Sequence, residues 1–481
     1  MKKILFLITL ISKIVAYGQD CDCTSNFEWV KETIEENDAG FQFVIDKKGE
    51  DAYEQHSSII KDKVSKLENS DGCADAINEW LAFFRSGHIS FKRINIVQSQ
   101  SGNEPSNQEI IDSYKDWQKI EIDLDKFKKY LSNKEHHDFE GIWFTGSYTI
   151  GIIKKGDEYF GFIIEADGVY WTPGQVKFII NKDFSSIYYM RDHSAQNIES
   201  VKLIGNNYIE TGIITLKRLF PSTTTEPEIE RYFKAISAEN PYFEKINNET
   251  TLLRIPRFWG PVKHKIDSVI SANKETILSS PNLIIDLRNN GGGSDRNYRE
   301  LLPILYTNPI RVVGAEFLST PLNNQRMLDI INKDLYGLDE EGKKWAQKSY
   351  DTLSKHIGEF VNLDEKPVEV TTLDTVLENP KNIGIIINEG IGSTTEQFLL
   401  AAKQSKKVKL FGTTTLGVLD ISNMYFVKSP CKDYELGYSL SKSMRIPEMT
   451  IDDKGIQPDF YIDKEIPKYE WIKFVTEILN E

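Results

Sequence analysis

Cysteine is scarce in this chain. The four residues, Cys21, Cys23, Cys73 and Cys431, stand in spacings that match no zinc site, which leaves structural thiols as their reading. Positive charge is in deficit, with 58 Lys and Arg against 72 Asp and Glu and a net charge of −14. That balance argues against nucleic acid and against an anionic membrane as a partner. Long apolar runs are missing too. The longest, Ile4 to Ser12, is too short to cross a bilayer, and no later segment does better. Low-complexity stretches and internal repeats are absent. What remains is an ordinary globular composition, 40% hydrophobic and 11% aromatic, at a length that predicts two or three domains.

The first residues read as an export signal. Lys2 and Lys3 precede the short apolar run, and Ala16-Tyr17-Gly18 offers small residues for cleavage near Gly18. An exported chain (periplasmic, cell-surface or secreted) permits disulfides. Cys21 and Cys23 are too close to pair easily with each other, so one of them is expected to bridge to Cys73; full connectivity does not follow from sequence.

Residues 19–125 form an N-terminal region that reads mainly helical over 24–92. Ser25 and Glu28 make a capping box ahead of Val30 and Ile34. A second helix carries Ile59, Ile60, Val64 and Leu67. A third runs from Cys73 to about Arg85 and stops at Ser86-Gly87, and His88 leads into the strand-like Ile89-Ser90-Phe91. Residues 98–135 are weakly patterned. Within 126–222 the apolar period becomes two, from about 139 to 219, with turn residues at Lys155-Gly156-Asp157 and Thr172-Pro173-Gly174. This predicts an antiparallel β module, whose Ile, Tyr and Trp-rich surface could receive a peptide by strand addition. Residues 221–230 read as a linker. Over 223–481 strands and helices alternate as in α/β folds: strands at 252–255, 283–287, 383–387 and 408–411, helices near 262–279, 295–306 and 394–405. A charged helical excursion at 322–361 is placed to act as a lid.

Two segments carry chemistry. Leu283 to Leu287 is a buried strand that runs through Asp286 and Arg288 into Gly291-Gly292-Gly293, where backbone N–H groups can approach a ligand closely. A second strand, Ile383 to Ile387, ends in Asn-Glu-Gly-Ile-Gly-Ser393-Thr394-Thr395-Glu396. Ser393 has two readings, a nucleophile just past a buried strand or a helix N-cap whose partner is Glu396. The segment is not a Gly-x-Ser-x-Gly elbow, because Ile391 and Thr395 replace the glycines. Nor is the glycine run a complete dinucleotide fingerprint, since Arg296 stands where the third glycine belongs.

Taken together these segments resemble peptidase family S41, the C-terminal processing and tricorn-core serine peptidases. The family's Leu-Arg-x-Asn-x-Gly-Gly is Leu287 to Gly293 here, its Ser-x-x-Glu is Ser393 to Glu396, and its Gly-x-x-Thr-[Phe/Leu]-Gly is Gly412 to Gly417. Its Gly-[Val/Ile]-x-Pro-Asp is Gly455 to Asp459. The resemblance covers roughly 250–462 and implies an α/β catalytic core similar to the crotonase and ClpP-like superhelix. It implies Ser393 as nucleophile and the Gly292 and Thr394 amides as oxyanion hole, with Asp286, Arg288 and Glu396 as a buried polar scaffold. Bacterial processing peptidases place a lysine base soon after the Thr-Phe-Gly, and that position is Val418 here. The tricorn-like branch uses a histidine from an N-terminal helical region, which corresponds to Arg85-Ser86-Gly87-His88. An acid before the late Gly-Ile-x-Pro-Asp corresponds to Asp452, with Asp453 and Glu448 as neighbours that could take its place.

The expectation is therefore an exported serine endopeptidase acting on peptides or unfolded protein, through an acyl-enzyme on Ser393 with His88 as base. No metal or organic cofactor is implied. The alternatives are a catalytically silent member of the same fold that binds peptides or small ligands, and a cell-surface or glycan-handling protein that works through its β module.

Overall fold

The computed structural model describes residues 21–67, 72–94, 106–333, 338–364 and 366–481. The export signal expected at 1–18 lies outside the described residues. The chain divides into two compact units. One takes in the N-terminal helices together with 238–466 and 471–481; the other runs to Ser237 and adds 467–470.

The first unit is organised by a six-stranded sheet. Its order is Tyr242–Lys245, Thr250–Arg254, Asn282–Asp286, Asn382–Ile387, Val408–Gly412 and Phe460–Tyr461. The first pair is antiparallel and the remaining four pairings are parallel. The central strands are near-continuous Ile and Leu because both of their faces are covered. On one face Leu283, Ile285, Ile383 and Ile385 pack with Ile266, Phe398 and Leu399. On the other, Ile284, Ile386 and Phe411 meet Trp471, Ile472 and Val475 of the helix Trp471–Leu479.

A second sheet of the same unit is built around the long strand Tyr434–Ser443. One of its edges is taken by Ile421–Lys428. The other is shared by Ser90–Arg93 toward its start and Ala315–Leu318 toward its end. In the interval between those two short strands, Ser439 bonds the Asp38 carboxylate and the His88 carbonyl. The N-terminal helices, Cys23–Asn37, Phe41–Lys48, Glu50–Ser65 and Cys73–Leu81, and the turn after the last of them share a core, through Phe27, Ile60, Trp80 and Phe84, with Leu436 and Tyr438 of that strand. Disulfides Cys23–Cys73 and Cys21–Cys431 tie them down.

The second unit carries a nine-stranded antiparallel sheet, from Gly141–Phe144 to Thr215–Phe220, around Trp143, Ile150, Trp171 and Ile209.

Several elements differ from expectation for local reasons. The first helix is capped by Asp22, whose carboxylate accepts from the Ser25 amide, so the Ser25–Glu28 capping box does not form. The last N-terminal helix ends at Leu81 and not at Gly87. Phe41–Lys48 was not anticipated, because Gly40 and Gly49 bracket only eight residues. The span expected as a linker holds the start of the helix Pro227–Ile236. Its Pro sits where a missing N–H costs nothing, and Ile229, Tyr232 and Phe233 give it a buried face. The helix expected at 262–279 breaks at Asn273 into Lys263–Ala272 and Lys274–Ser279. The one expected at 295–306 is a 3₁₀ run, Asp295–Leu301, followed by a single turn with Pro303 inside it. The excursion holds helices Pro321–Asn332 and Glu340–Leu353, and the strand pair Ala315–Leu318 with Phe360–Asn362 closes its base.

Candidate active site

Adjacent parallel strands deliver their C-terminal loops side by side, and the strands ending at Asp286 and Ile387 are neighbours. Their loops are laced together. Asn289 N–H donates to Asn388 Oδ1 at 2.8 Å, and Asn388 Nδ2 returns a bond to Asn289 Oδ1 at 2.7 Å. Thr395 Oγ1 donates to Asn290 Oδ1 at 2.8 Å, and Thr394 Oγ1 to the Gly293 carbonyl at 2.9 Å. Gly292 and Ser393 therefore come into contact. A Cβ on Gly292 would lie 2.8 Å from Ser393 Cβ and 3.0 Å from Thr394 N, and its φ of 106° is one that only glycine adopts easily. The Gly292 N–H itself points back to Asn290 Oδ1 at 3.2 Å.

Ser393 is half-buried at the start of the helix Thr394–Ala402, with φ 56° and ψ −128°. A residue with a Cβ is strained there, at a cost on the order of 1–3 kcal/mol. Glu396 is what holds it. Its fully buried carboxylate accepts from Ser393 N at 3.1 Å, Thr415 Oγ1 at 2.6 Å, Gly417 N at 2.7 Å and Val418 N at 2.9 Å. Burial raises its pKa, and the four donors pull it back toward the charged form. Ser393 is the N-cap of this helix and shares a capping box with Glu396, on a backbone that is not that of an ordinary cap.

Asp286 and Arg288 are buried and paired, with Arg288 Nε 3.0 Å and Nη2 2.8 Å from the carboxylate. Arg254 approaches from the next strand at 3.5 Å. Burial pushes the Asp286 carboxyl up, but the two guanidinium groups outweigh it and hold it below the usual range. The cluster lies at the strand ends under the loops.

His88 arrives from the other sheet. Its Nδ1 is 2.8 Å from the Ile421 carbonyl, an atom that can only accept. The proton of the neutral ring is therefore on Nδ1, and Nε2 keeps its lone pair. Burial lowers the imidazole pKa, Arg85 adds to this, and the Ile421 bond opposes both. The backbone at His88 is also left-handed, with φ 55°. Its carbonyl is clamped by Arg85 Nη2 at 3.0 Å and Ser439 Oγ at 3.0 Å, and Arg85 is fixed by a buried two-pronged pair with Asp38. Ser439 lies in the interval between Ser90–Arg93 and Ala315–Leu318, which the His88 and Asp38 segments fill.

Val418 joins the two arms. A Cβ on Gly87 would lie 2.6 Å from Val418 Cγ1, and one on Gly392 would lie 2.7 Å from Val418 Cγ2. The residues immediately before His88 and Ser393 thus pack on one side chain, at the position where a lysine was sought.

Asp452 is not bonded to the imidazole. Its Oδ1 accepts from the Leu419 and Asp420 amides, both at 2.6 Å, and its Oδ2 from Ile421 N at 3.1 Å. Asp420 answers by accepting from Ile451 N at 2.6 Å and Asp452 N at 2.9 Å, and it pairs with buried Arg445. Asp452 has no such cation. Burial, with a contribution from the Asp420 charge and against the amide bonds, raises its pKa to about 6. It is linked to His88 through residue Ile421, whose N–H it accepts and whose carbonyl meets the ring.

Residues 249–462 match the model of peptidase family S41. The matched segment contains Ser393, the glycine loop, Glu396 and Asp452, while His88 lies outside it. Among solved structures, mature CPAF in complex with lactacystin is similar at 14% identity with a TM-score of 0.52, covering 95% of this chain and 97% of that one. Mature CPAF alone gives 13% and 0.52, covering 95% of each. The photosystem II D1 C-terminal processing protease aligns over 95% of this chain and 97% of its own at 11% identity and a TM-score of 0.38. No curated protein matches. The CPAF likeness extends the shared fold beyond the S41 segment over almost the whole chain. No helix among the described residues is long and apolar enough to cross a membrane, and no cluster of His, Cys, Asp or Glu there has the makings of a metal site.

Sequence reasoning did not find Asn290, Asn388, Asp38, Arg85, Ser439, Asp420 or Arg445. Asn290 had a signal in its place inside the Leu-Arg-x-Asn-x-Gly-Gly motif, and Arg85 in the Arg85-Ser86-Gly87-His88 segment. Most of the other partners lie far away in sequence and leave no local pattern.

Proposed function

We propose that this protein is an exported serine endopeptidase in which His88 is the general base for Ser393. His88 Nε2 takes the Ser393 hydroxyl proton as Oγ attacks a peptide carbonyl. The Thr394 amide, with the Gly292 amide shared away from Asn290, stabilises the oxyanion. The imidazolium then gives its proton to the leaving amine, and water hydrolyses the resulting ester by the same route in reverse. Asp452 acts as a positioning residue by accepting from the N–H of Ile421. The observation that carries this reading is the strained backbone of Ser393, held against Gly292 by a carboxylate that serves the serine turn and the 415–418 loop together. Two disulfides suit an exported chain.

The deciding experiment is turnover of an unstructured protein by wild type, Ser393→Ala and His88→Ala. Loss of roughly 10⁴-fold or more in both variants is expected. Loss in Ser393→Ala alone would move the base elsewhere. A second reading, a peptide-binding protein without turnover, is favoured by the Gly292 N–H already being donated to Asn290. An inert wild type that still binds peptide would establish it.

A further inference from the structure

The loop Thr415–Val418 is held more firmly than a surface loop needs to be. Glu396 accepts from Thr415, Gly417 and Val418, and Leu416 N–H donates to the Ile391 carbonyl at 2.8 Å. Ile456 N–H adds a bond to Thr415 Oγ1 at 2.7 Å. Three of the four residues of this loop are buried: Thr415 and Val418 at 5% and 7% exposure, with Gly417 packed against Gly455. Leu416 alone points outward, and it is 49% exposed. It is also beside the serine turn, because a Cβ on Gly392 would lie 3.6 Å from Leu416 Cδ2.

A large apolar side chain left half in water gains nothing from burial in the free protein. Here its backbone is fixed on both sides by the same carboxylate that fixes Ser393, so its position relative to the nucleophile is set. Val418 continues the apolar surface beneath it, toward Gly87. We propose that Leu416 is a specificity-determining residue, forming the wall of a subsite that takes an apolar substrate side chain next to the scissile bond. The substrate class is therefore polypeptide with an aliphatic or aromatic residue at one position adjoining the cut. This deepens the reading of Ser393 as nucleophile and rests on it. A charged substrate residue at that position would lose its hydration against Leu416 without gaining a partner.

The test compares cleavage-site profiles of wild type, Leu416→Ala, Leu416→Glu and, as a control, Ile59→Ala, which removes an equally exposed aliphatic residue from the helix Glu50–Ser65. Wild type and Ile59→Ala should select apolar residues at one position beside the cut. Leu416→Ala should lower kcat/KM about 10-fold for peptides with leucine there and leave those with alanine nearly unchanged. Leu416→Glu should shift selection toward lysine and arginine. An unchanged profile in both Leu416 variants would overturn the assignment. Peptide binding in the Ser393→Ala background gives a readout free of turnover. If wild type cuts nothing yet Leu416→Ala still weakens binding of the leucine peptide, the subsite stands and the nucleophile reading falls. If binding is also indifferent to Leu416, the subsite falls with it.

Discussion

Ser393 and His88 both carry a left-handed backbone, at φ 56° and 55°, but the two are held by different kinds of group. The serine arm depends on one carboxylate without a cation, Glu396, which gathers donors from its own turn and from the loop across it. The histidine arm depends on carbonyls clamped by cations and amides. Its own carbonyl is held by Arg85 and Ser439, and the ring is held by the carbonyl of Ile421, whose N–H donates to Asp452. One arm is local to adjoining strands, so its parts are close in sequence. The other draws on residues from both ends of the chain. A single point change should therefore be worse on the serine side, and partner changes should be separable on the histidine side.

The largest effect should come from Glu396→Ala, which strands four donors at once. A loss of about 4 kcal/mol or more is expected, seen as a lower urea midpoint for the first unit, with no peptidase activity remaining. A variant that unfolds like wild type would remove the asymmetry drawn above. Next is Arg85→Met, which leaves the Asp38 carboxylate buried and uncompensated and should cost about 3–5 kcal/mol. Adding Asp38→Asn takes the stranded charge away and should recover part of that loss. Failure to recover any would mean that Arg85 matters through the His88 carbonyl alone.

A smaller effect separates strain from chemistry. Ser393→Gly should be more stable than Ser393→Ala by about 1 kcal/mol, since glycine accepts the backbone without penalty, and both should be inactive. Equal melting temperatures would show that the turn relaxes when the hydroxyl is gone.

The smallest is a pH effect of opposite sign at the two groups that bond Ile421. His88 has a lowered pKa in the folded protein, so the unfolded chain binds more protons as the pH falls below the ordinary histidine value near 6.5. Its contribution to stability, and the rate of turnover, should fall with acidification through that region. Asp452 has a raised pKa, near 6 against 3.8, so the folded chain binds more protons in that window. Its contribution is full below about 3.8 and is lost as the pH rises through about 6. Asp452→Asn should therefore gain on wild type in thermal stability as the pH rises from 4 to 7. A difference that is flat with pH would place the Asp452 titration elsewhere.

What could be read from sequence follows the same division. The central strands and the serine turn lie within one or two residues of expectation, because double-sided burial writes itself as runs of Ile and Leu and a tight turn writes itself as glycine. Asp286, Arg288 and Glu396 were expected to form a buried polar scaffold, and the structure places all three in buried networks. The partners of Asp452 were not legible, because they are amides, which every residue has. Nor was the helix at Pro227–Ile236, where a run of Thr and Pro hid a face made by Ile229, Tyr232 and Phe233.

The Ile421 carbonyl stands 333 residues after the ring it orients. Ribosomes build from the amino end, so the imidazole emerges long before its seat exists. A nascent chain that has reached Gly417 already holds its hydroxyl, its glycine cradle and its histidine, and still has nothing to aim the histidine with. On the reading proposed above, a copy truncated before Ile421 would carry the histidine without the carbonyl that orients it.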